Sequence, residues 1–213
     1  MKKQAIYVFL ASALLLSGCS DKGETQIAEA AATNGEVPAY YEGYVENPQV
    51  TGDQSLLKAG QSIRDDKGEI VLNASNLESG KHQIGGIELT LREAKLFHYK
   101  PSYGLIDFYH SYTHDTDFHV VKFFVEIKNT TEKPLNFAPV ALLETSAGET
   151  KLWEDDIYLE ELNGEVAPGE TKKGSIGFIV ENPDIDAISI TTSDLFGEDE
   201  KKIQAAEKIE IAF

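Results

Sequence analysis

The sequence predicts an all-β protein, an antiparallel β-sandwich of seven to nine strands carried on an N-terminal leader and tether. Three observations predict it. From about residue 59 apolar residues recur with a period of two, the signature of half-buried strands. The runs are separated by short Gly-, Pro- and Asn-containing breaks. Those breaks leave little room for the crossover helices that parallel sheets need. In order, Ile70 to Leu72 is a weak first strand. Ile87, Leu89 and Leu91 alternate with Glu88, Thr90 and Arg92, after which Ala94 and Leu96 become the apolar set. That one-residue slip of phase predicts a bulge near Arg92 and Glu93. Val121, Phe123, Val125 and Ile127 form the next apolar face, with Lys122, Phe124 and Glu126 opposite. A polar break at 129–134 leads to Leu135 and Phe137. Ile157 to Leu159 is a second weak strand. Pro168-Gly169 is placed for a type II turn, and Ile176, Phe178 and Val180 follow it. Ile188 and Ile190, then Ile209, Ile211 and Phe213, close the chain. Residues 198–207 read as the one helix, because Glu198 and Lys202 pair at i,i+4.

The first nineteen residues read as an address. Met1-Lys2-Lys3 precedes an apolar run of twelve residues, Ala5 to Leu16, broken only by Ser12. A membrane-spanning helix needs about 20, so this run suits the core of a secretory signal. It ends in Leu16-Ser17-Gly18-Cys19, which resembles the lipobox of bacterial lipoproteins. The resemblance implies that the Cys19 thiol receives a diacylglycerol and that residues 1–18 are removed. Cys19 is the sole cysteine of the 213 residues, which excludes intramolecular disulfides and four-cysteine zinc sites. The chain carries 19 Lys+Arg against 36 Asp+Glu, a formal charge of −17. Nucleic acid is excluded as a partner, because phosphate binding needs clustered cations. Docking to anionic lipid through a basic patch is excluded for the same reason, so the membrane is reached through the lipid. Residues 19–58 are rich in Ala, Gly, Glu, Thr and Asn and read as a lipidated N-terminus and flexible tether. Within it, 25–33 could form a weak helix, while Tyr40, Tyr41 and Tyr44 form an aromatic cluster expected to dock on the domain. Residues 59–213 are expected to fold alone as the sandwich.

Two segments carry a resemblance. One is Val120-Val-Lys-Phe-Phe-Val-Glu-Ile-Lys-Asn129 with Thr130-Thr-Glu-Lys-Pro-Leu-Asn-Phe137. The other is Val166-Ala-Pro-Gly-Glu-Thr-Lys-Lys-Gly-Ser-Ile-Gly-Phe178. Together they resemble an immunoglobulin-like domain of unknown function, common in lipoproteins of bacilli and related to a secreted immunoprotective antigen of mycobacteria. The resemblance spans roughly residues 85–195. It implies an immunoglobulin-like sandwich outside the cytoplasm and brings no catalytic residues. Physically, Asn129 is suited to a strand end, where its side chain can bond nearby backbone. Gly174 and Gly177 within a strand predict close approach or a bulge.

No phosphate-binding loop, nucleophile elbow, H-E-x-x-H helix or EF-hand loop is present, so no enzyme activity and no cofactor are expected. The expected role is a non-enzymatic module at the cell surface that binds or scaffolds a protein or envelope component. The alternative is a lipoprotein that handles a metal or small ligand through the histidine-rich segment 98–119. His98, His110, His114 and His119 fall there, with Asp115 and Asp117 among them. Imidazoles beside carboxylates suit a transition metal, although a polar, turn-like segment of this kind is also simply solvated. Trp153 and Tyr158 are expected to pack in the core, one or both.

Overall fold

The computed structural model describes residues 34–78 and 80–213. Cys19 and the stretches read above as a lipobox, a signal and a weak helix at 25–33 lie outside the described residues.

The chain enters through an irregular segment at 34–58 containing one 3-10 turn, Ala39–Tyr41. Five strands follow: β1 (Ser62–Arg64), β2 (Gly68–Asn76), β3 (Gly80–Ile84), β4 (Ile87–Pro101) and β5 (Phe118–Asn129). A single helical turn, α1 (Ile106–Tyr109), interrupts the β4–β5 connection. Then come β6 (Leu135–Phe137), β7 (Leu142–Thr145), β8 (Thr150–Leu152) and β9 (Gly164–Val166). The chain ends with β10 (Thr171–Val180), β11 (Ala187–Thr191), β12 (Leu195–Gly197), β13 (Lys202–Gln204) and β14 (Lys208–Ala212). All pairings are antiparallel.

The largest sheet has six strands in the order β1-β2-β4-β5-β10, with β3 also on β4. Two four-stranded sheets, β14-β11-β7-β8 and β13-β12-β6-β9, complete the fold. The main core joins Leu89, Phe123, Ile127 and Phe178 of the large sheet to Phe137, Leu143, Val166 and Ile190 of the small ones. Every side chain expected inside from Val121, Phe123, Val125, Ile127, Ile176 and Phe178 is buried. The all-β antiparallel sandwich is therefore as expected. Its fourteen described strands exceed seven to nine because several are only three residues long, below what periodicity resolves.

The outer face of the large sheet is covered too. Ile70, Leu72, Phe97, Tyr99, Phe118 and Val120 pack there with Val50, Leu56, Tyr109, Ile157 and Tyr158 in a second core. The flexible-tether expectation is corrected for 34–58: this segment is a strap across the sheet. Burial of Tyr41, Val50 and Leu56 supplies the apolar anchorage that composition alone does not reveal.

Two further expectations change. Residues 198–207 do not form a helix; β12 and β13 pair across a tight turn. A ten-residue helix is marginal alone, whereas β12 gains ladder bonds from β6 as well. Lys202 reaches Asp194 Oδ2 at 2.7 Å. Residues 157–159 are not a strand either; only Asp156 bridges to Phe178. Tyr158 is buried as expected, whereas Trp153 remains 52% exposed. The bulge is found as expected: Arg92 is the extra residue between the Leu91–Val125 and Glu93–Phe124 pairs. Gly169 takes φ 71° in the Pro168-Gly169 turn. Asn129 ends β5 with its Nδ2 donating to the Lys133 and Val166 carbonyls at 2.7 and 2.9 Å.

Candidate functional site

The bulge at Arg92 decides which side chains meet beneath the strap. Past it, Glu93 and Lys95 point to the outer face, and Lys95 stands opposite Lys122 of β5 in register. Two lysines side by side on a covered face require anions. Glu93 supplies one from β4 and Asp53 supplies the other from the strap. Lys95 Nζ lies 2.9 Å from Asp53 Oδ2 and 2.9 Å from Glu93 Oε1. Lys122 Nζ lies 3.0 Å from Asp53 Oδ2 and 2.8 Å from Glu93 Oε1. Lys95 also donates to the Asp53 carbonyl at 2.9 Å. All four residues are buried, and their formal charges cancel.

Aromatic side chains close the cluster. Tyr41 accepts from Lys122 at 2.6 Å and donates to Glu93 Oε1 at 2.5 Å. Tyr40 donates to Glu93 Oε2 at 2.6 Å. The Lys122 ammonium sits 5.1 Å from the Tyr41 ring centre and 5.6 Å from that of Phe124, within cation–π range. Burial by itself would raise the Asp53 carboxyl, but Lys122 and Lys95 outweigh it and hold it at about 2. Burial likewise works to raise Glu93, and the lysines, led by Lys122, bring it below the usual range despite Asp53. Burial works to lower Lys122, and Asp53 and Glu93 reverse that. Burial, then the Asp53 and Glu93 charges, keep the Tyr41 hydroxyl firmly protonated.

A second polar layer continues along β10. Glu160 accepts from Tyr44 Oη at 2.6 Å, Asn47 Nδ2 at 3.0 Å and the Ser175 amide at 2.8 Å. Gly174 makes room for it: a Cβ there would stand 2.5 Å from Glu160 Oε2. Gly177 does the same for the Tyr158 ring, at 2.6 Å. These are the close approaches expected of the two strand glycines.

The histidine segment is arranged differently from a single metal centre. His98 and His119 face one another across β4 and β5, with ring centres 5.0 Å apart. His98 Nε2 lies 3.0 Å from Asp117 Oδ1. His110 and His114 instead meet edge to face near α1, with centres 6.1 Å apart, and His110 approaches Asp107 at 4.0 Å. Among the described residues no group of three or more His, Cys, Asp or Glu side chains is placed to hold a metal ion. The residues named for the alternative metal site, His110, His114, His119, Asp115 and Asp117, therefore do not form such a group. His110 caps the end of α1, whereas His119 lies in β5. Asp115, Asp117 and His119 line a cleft of about 390 Å³ with Tyr112, Lys151 and Glu181. Burial, followed by the His98 charge, lowers the His119 pKa. The His98 hydrogen bond lowers that of Asp117.

Sequence reasoning missed Asp53, Glu93, Lys95 and Lys122. The available signal was on the supposedly polar face itself, which carries Phe97, Tyr99 and Phe124 beside the charges. A strand apolar on both sides is buried on both sides.

The fold and site define an antiparallel β-sandwich whose large sheet is strapped by its own N-terminal segment through a buried charge cluster. No protein-family model matches the chain. A 234-residue alignment with the uncharacterized protein YdhF of Bacillus subtilis (strain 168) shows 42% identity over 98% of this chain and 99% of that one. The chain belongs to the YdhF family. A functionally unknown protein from Listeria monocytogenes EGD-e, known from its crystal structure, superposes with a TM-score of 0.51. That match covers 68% of this chain and 87% of the other at 13% identity, and it speaks for the fold alone.

Proposed function

We propose that the protein is an extracytoplasmic lipoprotein, anchored through a lipid on Cys19, whose immunoglobulin-like sandwich serves as a non-enzymatic binding or scaffolding module. The observation that carries this reading is Leu16-Ser17-Gly18-Cys19 at the end of a twelve-residue apolar run behind two lysines. Processing leaves one thiol, consumed as a thioether, and two acyl chains on the glycerol suffice for stable anchoring. Removing Lys2 and Lys3 takes the charge from −17 to −17 − 2 = −19, so an anionic bilayer repels the body and the lipid does the holding. For binding, the cleft beside His98 and His119 offers two carboxylates from the 113–117 turn, a tyrosine and a lysine. That lining suits a polar, hydrogen-bonding ligand such as a peptide or an envelope sugar.

The test is fractionation of cells carrying wild-type or Cys19→Ala protein, with metabolic labelling by a palmitate analogue. Wild type is expected in the membrane fraction with label, and the variant unlabelled and released. A variant that stays in the membrane like wild type overturns the anchor.

A further inference from the structure

We propose that the buried cluster is a self-modification site, in which the Lys95 amine and the Asp53 carboxyl condense to an amide that welds the strap to the sheet. The parts are in place. Lys95 Nζ is 2.9 Å from Asp53 Oδ2, and the carboxyl carbon lies one bond behind that oxygen. Both side chains are buried in this arrangement, and holding the amine and the carboxyl together in one dry space prepays much of the entropy of their encounter. Glu93 Oε1 is 2.9 Å from the same amine, positioned to move its protons. Lys122 Nζ is 3.0 Å from Asp53 Oδ2, positioned to stabilise negative charge on that oxygen as the carbon becomes tetrahedral.

The two lysines are not equivalent. Lys122 is held as a cation by the Tyr41 hydroxyl and by the Tyr41 and Phe124 rings. The ion and hydrogen-bond partners of Lys95 are Asp53 and Glu93, so Lys95 is the nucleophile. The step begins with transfer of one proton from the Lys95 ammonium to the Asp53 carboxylate, giving a neutral amine and a neutral acid. The amine nitrogen attacks the carboxyl carbon and a C–N bond forms. Glu93 takes a proton from nitrogen and returns it to the departing hydroxyl, the C–O bond breaks, and one water leaves. An ammonium and a carboxylate become an amide and water, with no oxidant or co-reactant. The driving force is electrostatic. Four desolvated charges become two, the Lys122–Glu93 pair, which removes much of the penalty of burying ions. The weld bridges 42 residues of sequence separation and is independent of the lipid anchor.

Tandem mass spectrometry of the denatured, trypsin-digested full chain tests it. The expected product is a branched peptide joining the segment that holds Asp53 to the one that holds Lys95, lighter by one water, with fragment ions placing the link at Lys95. Lys95→Arg, which keeps the cation, is expected to abolish the branched peptide. Glu93→Gln is expected to reduce it at least tenfold while leaving native β circular dichroism. Linear peptides with unmodified Asp53 and Lys95 from folded wild type overturn the proposal. A link placed at Lys122 overturns the assignment of the nucleophile, and an undiminished link in Glu93→Gln overturns the role of Glu93.

Discussion

Lys122 is fully buried, and its charge is tolerated only because Asp53, Glu93 and Tyr41 surround it. Removing one member of such a cluster leaves the others uncompensated. Lys122→Met should therefore destabilise by about 3–5 kcal/mol, read as the shift in chemical-denaturation midpoint. A smaller loss would mean that water enters the cluster. Asp156 behaves in the opposite sense. It accepts hydrogen bonds from the Gly177, Tyr158 and Leu159 amides, yet burial outweighs them and pushes its carboxyl up from 3.8 to about 6. The folded state therefore takes up this proton before the unfolded state does. The ionised carboxyl costs stability above pH 6, and the cost is relieved as pH falls from 6 toward 4. Compared with Asp156→Asn, wild type should gain about 2 kcal/mol between pH 7.5 and 4.5. Paired denaturation curves at the two pH values check both sign and size.

At the scale of elements, the strap packs on β5 and β10 together. Tyr40, Tyr41 and Tyr44 pack on Phe124 at ring separations of 5.8, 4.2 and 5.1 Å, and the Lys173 ammonium reaches the Glu42 carbonyl at 2.5 Å. A chain beginning at residue 59 uncovers Lys95, Lys122, Phe97 and Phe124 together. It should lose cooperative unfolding and bind a hydrophobic dye, while a chain beginning at residue 34 keeps a single transition. Equal, cooperative melts for both would show the strap to be dispensable. Within β10 the two glycines are spacers. Gly177→Ala drives a Cβ into the Tyr158 ring and should cost about 1–3 kcal/mol as overpacking, measured by thermal or chemical unfolding. A neutral result would mean that Tyr158 swings aside freely.

In the body formed by the described residues a large sheet is covered on both faces, and the chain as a whole is strongly negative. The strap completes the outer layer as the small sheets complete the inner one. The charge of −17 acts against the compact state by self-repulsion. Stability should therefore rise with salt, because the Debye length falls from about 30 Å at 0.01 M to about 8 Å at 0.15 M. The buried cluster is shielded from that screening. Thermal melts across this range should show a rising midpoint in wild type and a similar slope in Lys122→Met. A falling midpoint would make attractive surface pairs dominant over net repulsion.

Local rules were legible along the chain. Alternation marked β4, β5, β10, β11 and β14, and the phase slip marked the Arg92 bulge. Pro168-Gly169 marked its turn, and the strand glycines marked close approaches. Each depends on residues within a few positions of one another, so neighbouring sequence determines it. What covers the second face of a strand is not local. Asp53 meets Lys122 across 69 residues and Tyr44 meets Glu160 across 116, and no periodicity encodes such a pairing. For the same reason Lys95 and Lys122 read as ordinary polar positions, and 34–58 read as tether. The i,i+4 charge pair at Glu198 and Lys202 suggested a helix, but Lys202 pairs with Asp194 instead and its strand pairs with β12. Composition determined the charge, and pattern determined the β architecture. Only tertiary structure decided that two lysines and two acids share one dry space, because desolvation is a property of the assembled layers and of no single segment.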